Sequence, residues 1–360
     1  MSLKRWGWNA YFEALWNGAE REGVFPARVI SQQRKFWRVA GEFGEAWAEA
    51  SGALRLAGES GGDWPAVGDW VAVEFPAAGE NGMIREVLAR KSRFVRKSPG
   101  KRMEEQVIAA NVDTALLVSA MDGDFSPRRV ERYLAQCWES GAKPVVVLNK
   151  ADACREVAAV VREIEGCVAG TSVCVLSART GQGFGELEKF LTDGETIVLL
   201  GSSGVGKSSI VNRLMGRAVQ ETQEVRESDS KGMHTTTARE IFVLPGGALL
   251  MDTPGLRELQ LWNAEEALQE TFADIGELAA NCRFSNCTHG SEPGCAVQEA
   301  IAKGELDAAR LENQKKLERE ERFQQRKIDP EAKQEEKQRV KQIHKEQKEH
   351  YREAKKGRKG

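Results

Sequence analysis

The sequence predicts a multidomain α/β protein: an N-terminal OB-like β-barrel, a central parallel sheet, and a C-terminal helical unit with a Cys/His cluster and a charged tail. Three observations carry that prediction. Short strand-like runs broken by Gly, Pro and Asp fill the first hundred residues, which also hold seven of the nine tryptophans. From about Val112, strand and helix patterns alternate regularly. Cys282, Cys287, His289 and Cys295 gather within fourteen residues, ahead of an end rich in Lys, Arg, Glu and Gln. The corresponding boundaries are 1–100, 101–258, 259–310 and 311–360.

In the first unit, Ala27 to Ile30, Lys35 to Val39, Trp70 to Phe75 and Gly82 to Val87 read as strands. Pro65 and Gly68-Asp69 mark a turn before Trp70. Short alternating strands at this spacing suggest a small barrel. A five-stranded oligonucleotide-binding barrel fits, and so does an SH3-like one. Its tryptophans serve either as core and rim residues or as platforms for stacking bases, with the core role the commoner.

The middle unit opens with the apolar run Val112 to Met121. A helix (Pro127 to Ser140), a strand (Pro144 to Leu148), a helix (Glu156 to Ile164), a strand (Ser172 to Leu176), a helix (Phe184 to Leu191) and a strand (Thr196 to Leu200) follow. A helix over Lys207 to Met215 and strands over Glu240 to Leu244 and Leu249 to Met251 complete it. Such alternation predicts a parallel sheet with helices on both faces.

The strand Thr196 to Leu200 runs into Gly201-Ser202-Ser203-Gly204-Val205-Gly206-Lys207-Ser208, with Ser209 next and an amphipathic helix after it. This is a phosphate-binding loop in its confirming context. Its glycines let backbone N–H groups turn inward onto phosphate oxygens at a helix N-terminus. Lys207 is placed to reach the β- and γ-phosphates, and the Ser208 hydroxyl to bind Mg²⁺.

Asn149-Lys150-Ala151-Asp152 ends another strand. Guanine offers N1–H and N2–H₂ side by side, and one carboxylate, Asp152, can accept from both; adenine has no such pair. Asn149 can brace the loop and the Lys150 stem can lie along the base. Ser177-Ala178 closes a third strand, where N–H groups can reach guanine O6. Asp252-Thr253-Pro254-Gly255 ends a fourth, 44 residues past Ser208. Asp252 suits Mg²⁺ through a water, and the Gly255 N–H suits a γ-phosphate. Between Ser228 and Thr237, the polar run Lys231-Gly232-Met233-His234-Thr235-Thr236-Thr237 is a candidate switch. Thr236 is the favoured Mg²⁺ ligand, with Thr235 and Thr237 as alternatives. Residue 256 is leucine where Ras-like enzymes carry a water-orienting glutamine, so His234 is a candidate for positioning the attacking water.

Base recognition thus precedes phosphate and metal recognition along the chain, the reverse of ordinary small GTPases. A circular permutation gives this order, keeping the loops at one sheet edge and relocating the termini. Asp252 to Gly255 then leads directly into the C-terminal unit, with 26 residues between Gly255 and Cys282.

Cys282-x₄-Cys287-x-His289-x₅-Cys295 supplies three thiolates and an imidazole, the donor set of a closed structural Zn²⁺ site. Turn formers between the ligands allow the chain to wrap a metal. Four ligands leave no open position, so no catalysis is expected there.

Composition bounds the rest. Apolar residues are 41% and charged residues 29%, as in ordinary globular proteins. The net charge of −2 hides an asymmetry: residues 301–360 carry 19 Lys+Arg against 13 Asp+Glu, and the first 300 carry 33 against 41. A basic tail on an acidic body is consistent with a polyanionic partner. Pro330 divides that tail into two stretches, each readable as a solvated helix. No run is long and apolar enough for a membrane span, the N-terminus lacks a signal-peptide pattern, and the seven cysteines form no disulfide framework. A cytoplasmic monomer is expected.

Taken together, these motifs in permuted order and the Cys/His spacing resemble the RsgA family, also called YjeQ or EngC, over nearly the whole chain. The resemblance implies an oligonucleotide-binding barrel, a structural zinc, and GTP hydrolysis stimulated by the small ribosomal subunit. It also implies rRNA contact, a role in late maturation of that subunit, and release of assembly factors. Where the family's switch often reads Gly-Arg-His-Thr-Thr, this chain has Gly232-Met233-His234-Thr235-Thr236; a positive charge is lost while the His and Thr remain. An RNA-binding scaffold that holds nucleotide without turnover is the alternative, and Leu256 lends it some support.

Overall fold

The computed structural model describes residues 2–19, 21–59, 64–76, 81–97, 105–123, 125–168, 170–217, 239–252 and 264–328. A short 3₁₀ turn at Leu3–Trp6 and helix α1 (Ala10–Asn17) precede five strands: β1 (Phe25–Gln33), β2 (Phe36–Gly41), β3 (Gly44–Ala50), β4 (Trp70–Glu74) and β5 (Gly82–Val87). They pair in the order β1-β2-β3-β5-β4, and β4 returns to β1, so the barrel closes. Helix α2 (Gly52–Glu59) lies in the connection between β3 and β4. Five strands closing in this order form the OB type of barrel rather than the SH3-like alternative.

Strand β3 is absent from the sequence reading. Its Gly-Glu-Ala-Trp-Ala-Glu-Ala has no β-branched residue, and Ala and Glu carry little strand preference. Pairing with β2 on one side and β5 on the other makes it a strand. The tryptophans divide as expected for a small barrel: Trp6, Trp37 and Trp70 are buried, whereas Trp47 and Trp64 are 38% and 40% exposed.

A separate antiparallel hairpin, β6 (Arg93–Lys97) and β7 (Glu105–Ala110), leads out of the barrel. The boundary expected at residue 100 falls between its two strands. Then come β8 (Thr114–Ala120), α3 (Pro127–Ser140), β9 (Lys143–Asn149), α4 (Val157–Glu165), β10 (Ser172–Val175), α5 (Phe184–Glu188), β11 (Thr196–Leu200), α6 (Lys207–Met215), β12 (Arg239–Val243) and β13 (Leu249–Asp252). The sheet order is β10-β9-β8-β11-β13-β12; all neighbours are parallel except β12, which is antiparallel to β13. Every residue of β8 and β11 is buried, as parallel strands covered on both faces require.

Strand β1 joins the two units. Its first half pairs with β4, a register shift falls between Val29 and Ser31, and Ser31 and Gln32 then pair with Glu240 and Arg239 of β12. A bulge bends a strand and increases its local twist, so β1 can serve barrel and core sheet in turn. Arg28 seals the joint. Fully inside the protein, it donates to the carbonyls of Trp6 (2.6 Å), Gly68 (3.0 Å) and Asn111 (3.1 Å) and to Thr196 Oγ1 (2.9 Å). Burial pushes its pKa down to about 10, against the opposing pull of Asp113 and Asp69.

The C-terminal unit holds α7 (Glu265–Thr271), α8 (Ala273–Ala279), α9 (Ala296–Lys303) and α10 (Ala308–Ile328). Leu268, Phe272, Ile275, Val297, Leu306, Leu311 and Leu317 form its core together with Ala135 of α3. The expectation of a solvated helix fails for α10: Leu311, Leu317, Arg310 and Glu321 are all buried. Two leucines six residues apart, amid charge, give a weak periodic signal, and packing against α3 and α7 supplies what periodicity does not. The second tail stretch, beyond Pro330, lies outside the described residues. Among the described residues no helix is long and apolar enough to cross a membrane.

Candidate nucleotide site and metal centre

Because β8, β9, β10, β11 and β13 are parallel, their C-terminal ends share one edge of the sheet, where α/β proteins bind ligands. Residues 149–152, 177–178, 201–208 and Asp252 all lie along that edge. Helix α6 begins at Lys207 on a left-handed Gly206 (φ 95°). A Cβ at 206 would stand 2.2 Å from Asn149 Nδ2, so the position demands glycine for space as well as for φ. Lys207 Nζ donates to the carbonyls of Gly201 (2.7 Å) and Ser202 (2.5 Å), keeping its charge inside the loop. Ser208 and Ser209 follow in the first turn of α6, half-buried. Ser203 and Gly204 are exposed at the tip, and Val205 is buried beneath it.

Asn149, buried at the end of β9, ties three loops together. Its Nδ2 donates to the Val205 carbonyl at 2.8 Å, and its Oδ1 accepts from the Ala178 N–H at 3.0 Å. Lys150 takes the left-handed conformation (φ 65°), and its ammonium meets Asp122 at 2.7 Å. Ala151 and Asp152 form a single 3₁₀ turn with Ala153. Asp152 accepts from the Ser177 hydroxyl and pairs with Arg179 at 2.5 Å. The Ser177 hydrogen bond, helped by Arg179 and opposed by burial, holds the Asp152 carboxyl below its ordinary range. Asp252 closes β13, the neighbour of β11, and its backbone pairs with Glu240. His234, Thr236 with its neighbours Thr235 and Thr237, Gly255 and Leu256 lie outside the described residues.

In the C-terminal unit, the ligand atoms of Cys282, Cys287, His289 and Cys295 all lie within 4.8 Å of one another. Cys282 Sγ stands 3.7 Å from His289 Nδ1 and 3.9 Å from Cys295 Sγ, and Cys295 Sγ stands 3.6 Å from His289 Nδ1. A tetrahedron with metal–sulfur bonds of ~2.3 Å has edges of about 3.8 Å, so the spacing fits a metal of zinc's size. All three cysteines are free thiols. His289 reaches the cluster from a left-handed backbone (φ 55°), and its carbonyl accepts from Gln298 Nε2 (2.8 Å) and Lys315 Nζ (3.0 Å). Glu292 accepts from the backbone N–H groups of Thr288 (3.0 Å) and Gly290 (2.7 Å) and from the Thr288 hydroxyl. These bonds, the hydroxyl's foremost, lower its pKa to about 2.

Sequence reasoning missed the supporting residues. Asp122, Arg179 and Glu292 belong to no motif; only their nearness to Lys150, Asp152 and His289 marks them. Glu292 had one legible signal, an acid amid turn formers inside a ligand loop.

The RsgA GTPase family model matches residues 87–262. A small ribosomal subunit biogenesis GTPase RsgA from Syntrophotalea carbinolica is 46% identical over 322 residues, covering 87% of this chain and 88% of that protein. One from Opitutus terrae is 44% identical over 339 residues, covering 92% of each. Among solved structures, YjeQ from Thermotoga maritima superposes with a TM-score of 0.62 at 30% identity, covering 83% of this chain and 98% of that one. YloQ, described as a circularly permuted GTPase, superposes at 0.59 and 24% identity, covering 85% and 98%, and supports the fold alone. With the rotated order of loops on one sheet edge and relatives matched almost end to end, the chain belongs to the RsgA GTPase family.

Proposed function

We propose that this protein binds GTP along the sheet edge and hydrolyses it with Mg²⁺ while acting in biogenesis of the small ribosomal subunit. The observation that carries the nucleotide reading is Asn149, which fastens residues 149–152 and 177–178 to the phosphate loop. Asp152 then faces the guanine donors, exchanging Ser177 and Arg179 for N1–H and N2–H₂. Asn149, Lys150, Ala151, Ser177 and Ala178 shape the base pocket, and residues 201–209 take the phosphates. Ser208, Asp252 and Thr236 are the Mg²⁺ candidates; His234, Lys207 and Thr236 are the candidates for catalysis, and Gly255 senses the γ-phosphate. Mg²⁺, when bound with GTP, neutralises charge developing on the transferred phosphoryl group.

The names of the relatives support the ribosomal setting. The closed barrel, with Trp47 and Trp64 exposed, supports contact with rRNA. Late action, release of assembly factors, a cytoplasmic location and a monomeric state complete the reading. Cys282, Cys287, His289 and Cys295 hold one structural Zn²⁺ with no role in turnover.

The test is GTP turnover by the wild type and His234→Ala, each with and without purified small subunits, with ATP as competitor. Stimulation by subunits, loss of it in His234→Ala, and no competition by ATP are expected. Equal competition by ATP refutes the guanine assignment. Nucleotide binding with no turnover under any condition would favour the scaffold reading instead. Metal analysis of the purified chain is expected to return one zinc, lost in Cys287→Ser.

A further inference from the structure

We propose that helix α3 is a strut coupling the phosphate loop to the C-terminal module, with Arg129 as the residue that positions the loop. Ser202 is held from two sides. Arg129 Nη1 donates to its Oγ at 3.1 Å and the Tyr133 hydroxyl lies 3.5 Å from the same atom. Its carbonyl, on the other side, receives Lys207 Nζ at 2.5 Å. The residue that anchors the loop to α3 is therefore also one that anchors the phosphate-binding lysine.

Arg129 and Tyr133 are four residues apart and share a helix face; Arg128, Glu131 and Arg132 present the adjacent one. That adjacent face is fastened to α10 and the turn before it. Arg128 bonds Asp307, Glu131 bonds Arg310 (2.7 Å) and Asn313 (2.6 Å), and Arg132 forks onto Glu320 with one contact at 2.8 Å. Glu131 and Arg310 are both buried; Arg128 also bonds Glu131 and Asp274 also bonds Arg310, so parting the two weakens a charge network inside the protein, where each lost partner is costly. Helix α3 also shares both cores: Val130, Leu134 and Cys137 pack with the sheet, and Ala135 with the C-terminal helices.

A force that shifts α10 must therefore move α3 or break a buried pair, and moving α3 moves Arg129 against Ser202. Coupling of this kind is reciprocal: nucleotide in the loop stabilises the docked α10 by the same free energy. The inference rests on the assignment of residues 201–208 to the nucleotide's phosphates.

The experiment is a double-mutant cycle on the zinc-loaded full chain, with affinity for fluorescent GDP as readout and Lys207→Ala as reference. Arg129→Met is expected to weaken binding about fivefold or more, and Arg129→Lys to restore at least half of that loss. Arg132→Met, which cuts only the tie to α10, is expected to weaken binding about threefold alone and to add nothing in the Arg129→Met background. Additive losses, or an Arg129→Met affinity equal to wild type while Lys207→Ala loses GDP, overturn the coupling and leave the loop assignment standing. Unchanged binding in Lys207→Ala removes the loop assignment and the coupling with it.

Discussion

Replacing Asn149 with alanine tests the joint on which the base and phosphate loops meet. The side chain is 2% exposed and makes two hydrogen bonds, to the Val205 carbonyl and from the Ala178 N–H. Alanine leaves both backbone groups without that partner. A buried polar group left unpaired costs roughly 1–3 kcal/mol. Val205 is fully buried and Ala178 half-buried, so about 2 kcal/mol for the first and about 1 for the second gives a total near 3 kcal/mol. That cost is shared between folding and nucleotide affinity. Urea unfolding in saturating GDP reports the two together, because ligand that binds only the folded state adds its binding free energy to stability. The expected loss there is about 2–4 kcal/mol, with GDP affinity alone falling at least tenfold, about 1.4 kcal/mol. Asn149→Asp keeps the acceptor for Ala178 but turns an anionic oxygen on the Val205 carbonyl, so it should recover nothing. If the combined loss stays below about 0.5 kcal/mol, Asn149 is not what holds the loops together.

Other perturbations follow from the same geometry. Gly206→Ala places a methyl 2.2 Å from Asn149 Nδ2 at φ 95°; loss of measurable GDP binding in a chain that still melts cooperatively is expected, and wild-type affinity would show the loop adapts freely. Arg310→Met takes one of two guanidinium partners from the buried Glu131 carboxylate, which keeps Arg128 and Asn313, and uncaps the carbonyls of Cys167 and Thr271. Buried groups left without a partner cost roughly 1–3 kcal/mol each, so a loss of about 3 kcal/mol by urea denaturation is expected, and one under about 1 kcal/mol would contradict it. Asp152 has a depressed folded pKa, so its contribution to stability is present above its ordinary value of 3.8 and is lost only as pH falls through the lower folded value. The preference for GTP over ATP, in which phosphate ionisation cancels, should therefore be unchanged from about pH 8 to about pH 5. A decline with a midpoint in that window would assign the recognition to another group. Glu292→Gln removes the charge that three donors of the ligand loop address; faster zinc loss to a chelator is expected, and an unchanged rate would show that the ligands alone order the loop.

What the amino-acid order determined by itself is local. A Gly-rich loop of phosphate-binding pattern, an Asn-Lys-Ala-Asp run and a Cys₃His cluster are each set by residues a few positions apart, and the strand–helix alternation around them names the parallel sheet. The rotated order of the loops is likewise a property of the string. What only the tertiary structure decided lies in contacts between distant residues. Strand β3 exists because β2 and β5 flank it. Arg28 seals barrel to sheet by reaching a residue 168 positions away, and Arg310 meets Glu131 across 179. A charged helix that reads as solvated, α10, docks because its few leucines and one buried arginine find α3 and α7. Periodicity and spacing encode which face of an element is apolar, but not which other element it will meet. That choice is settled only when burial and hydrogen bonding are satisfied for the whole chain at once.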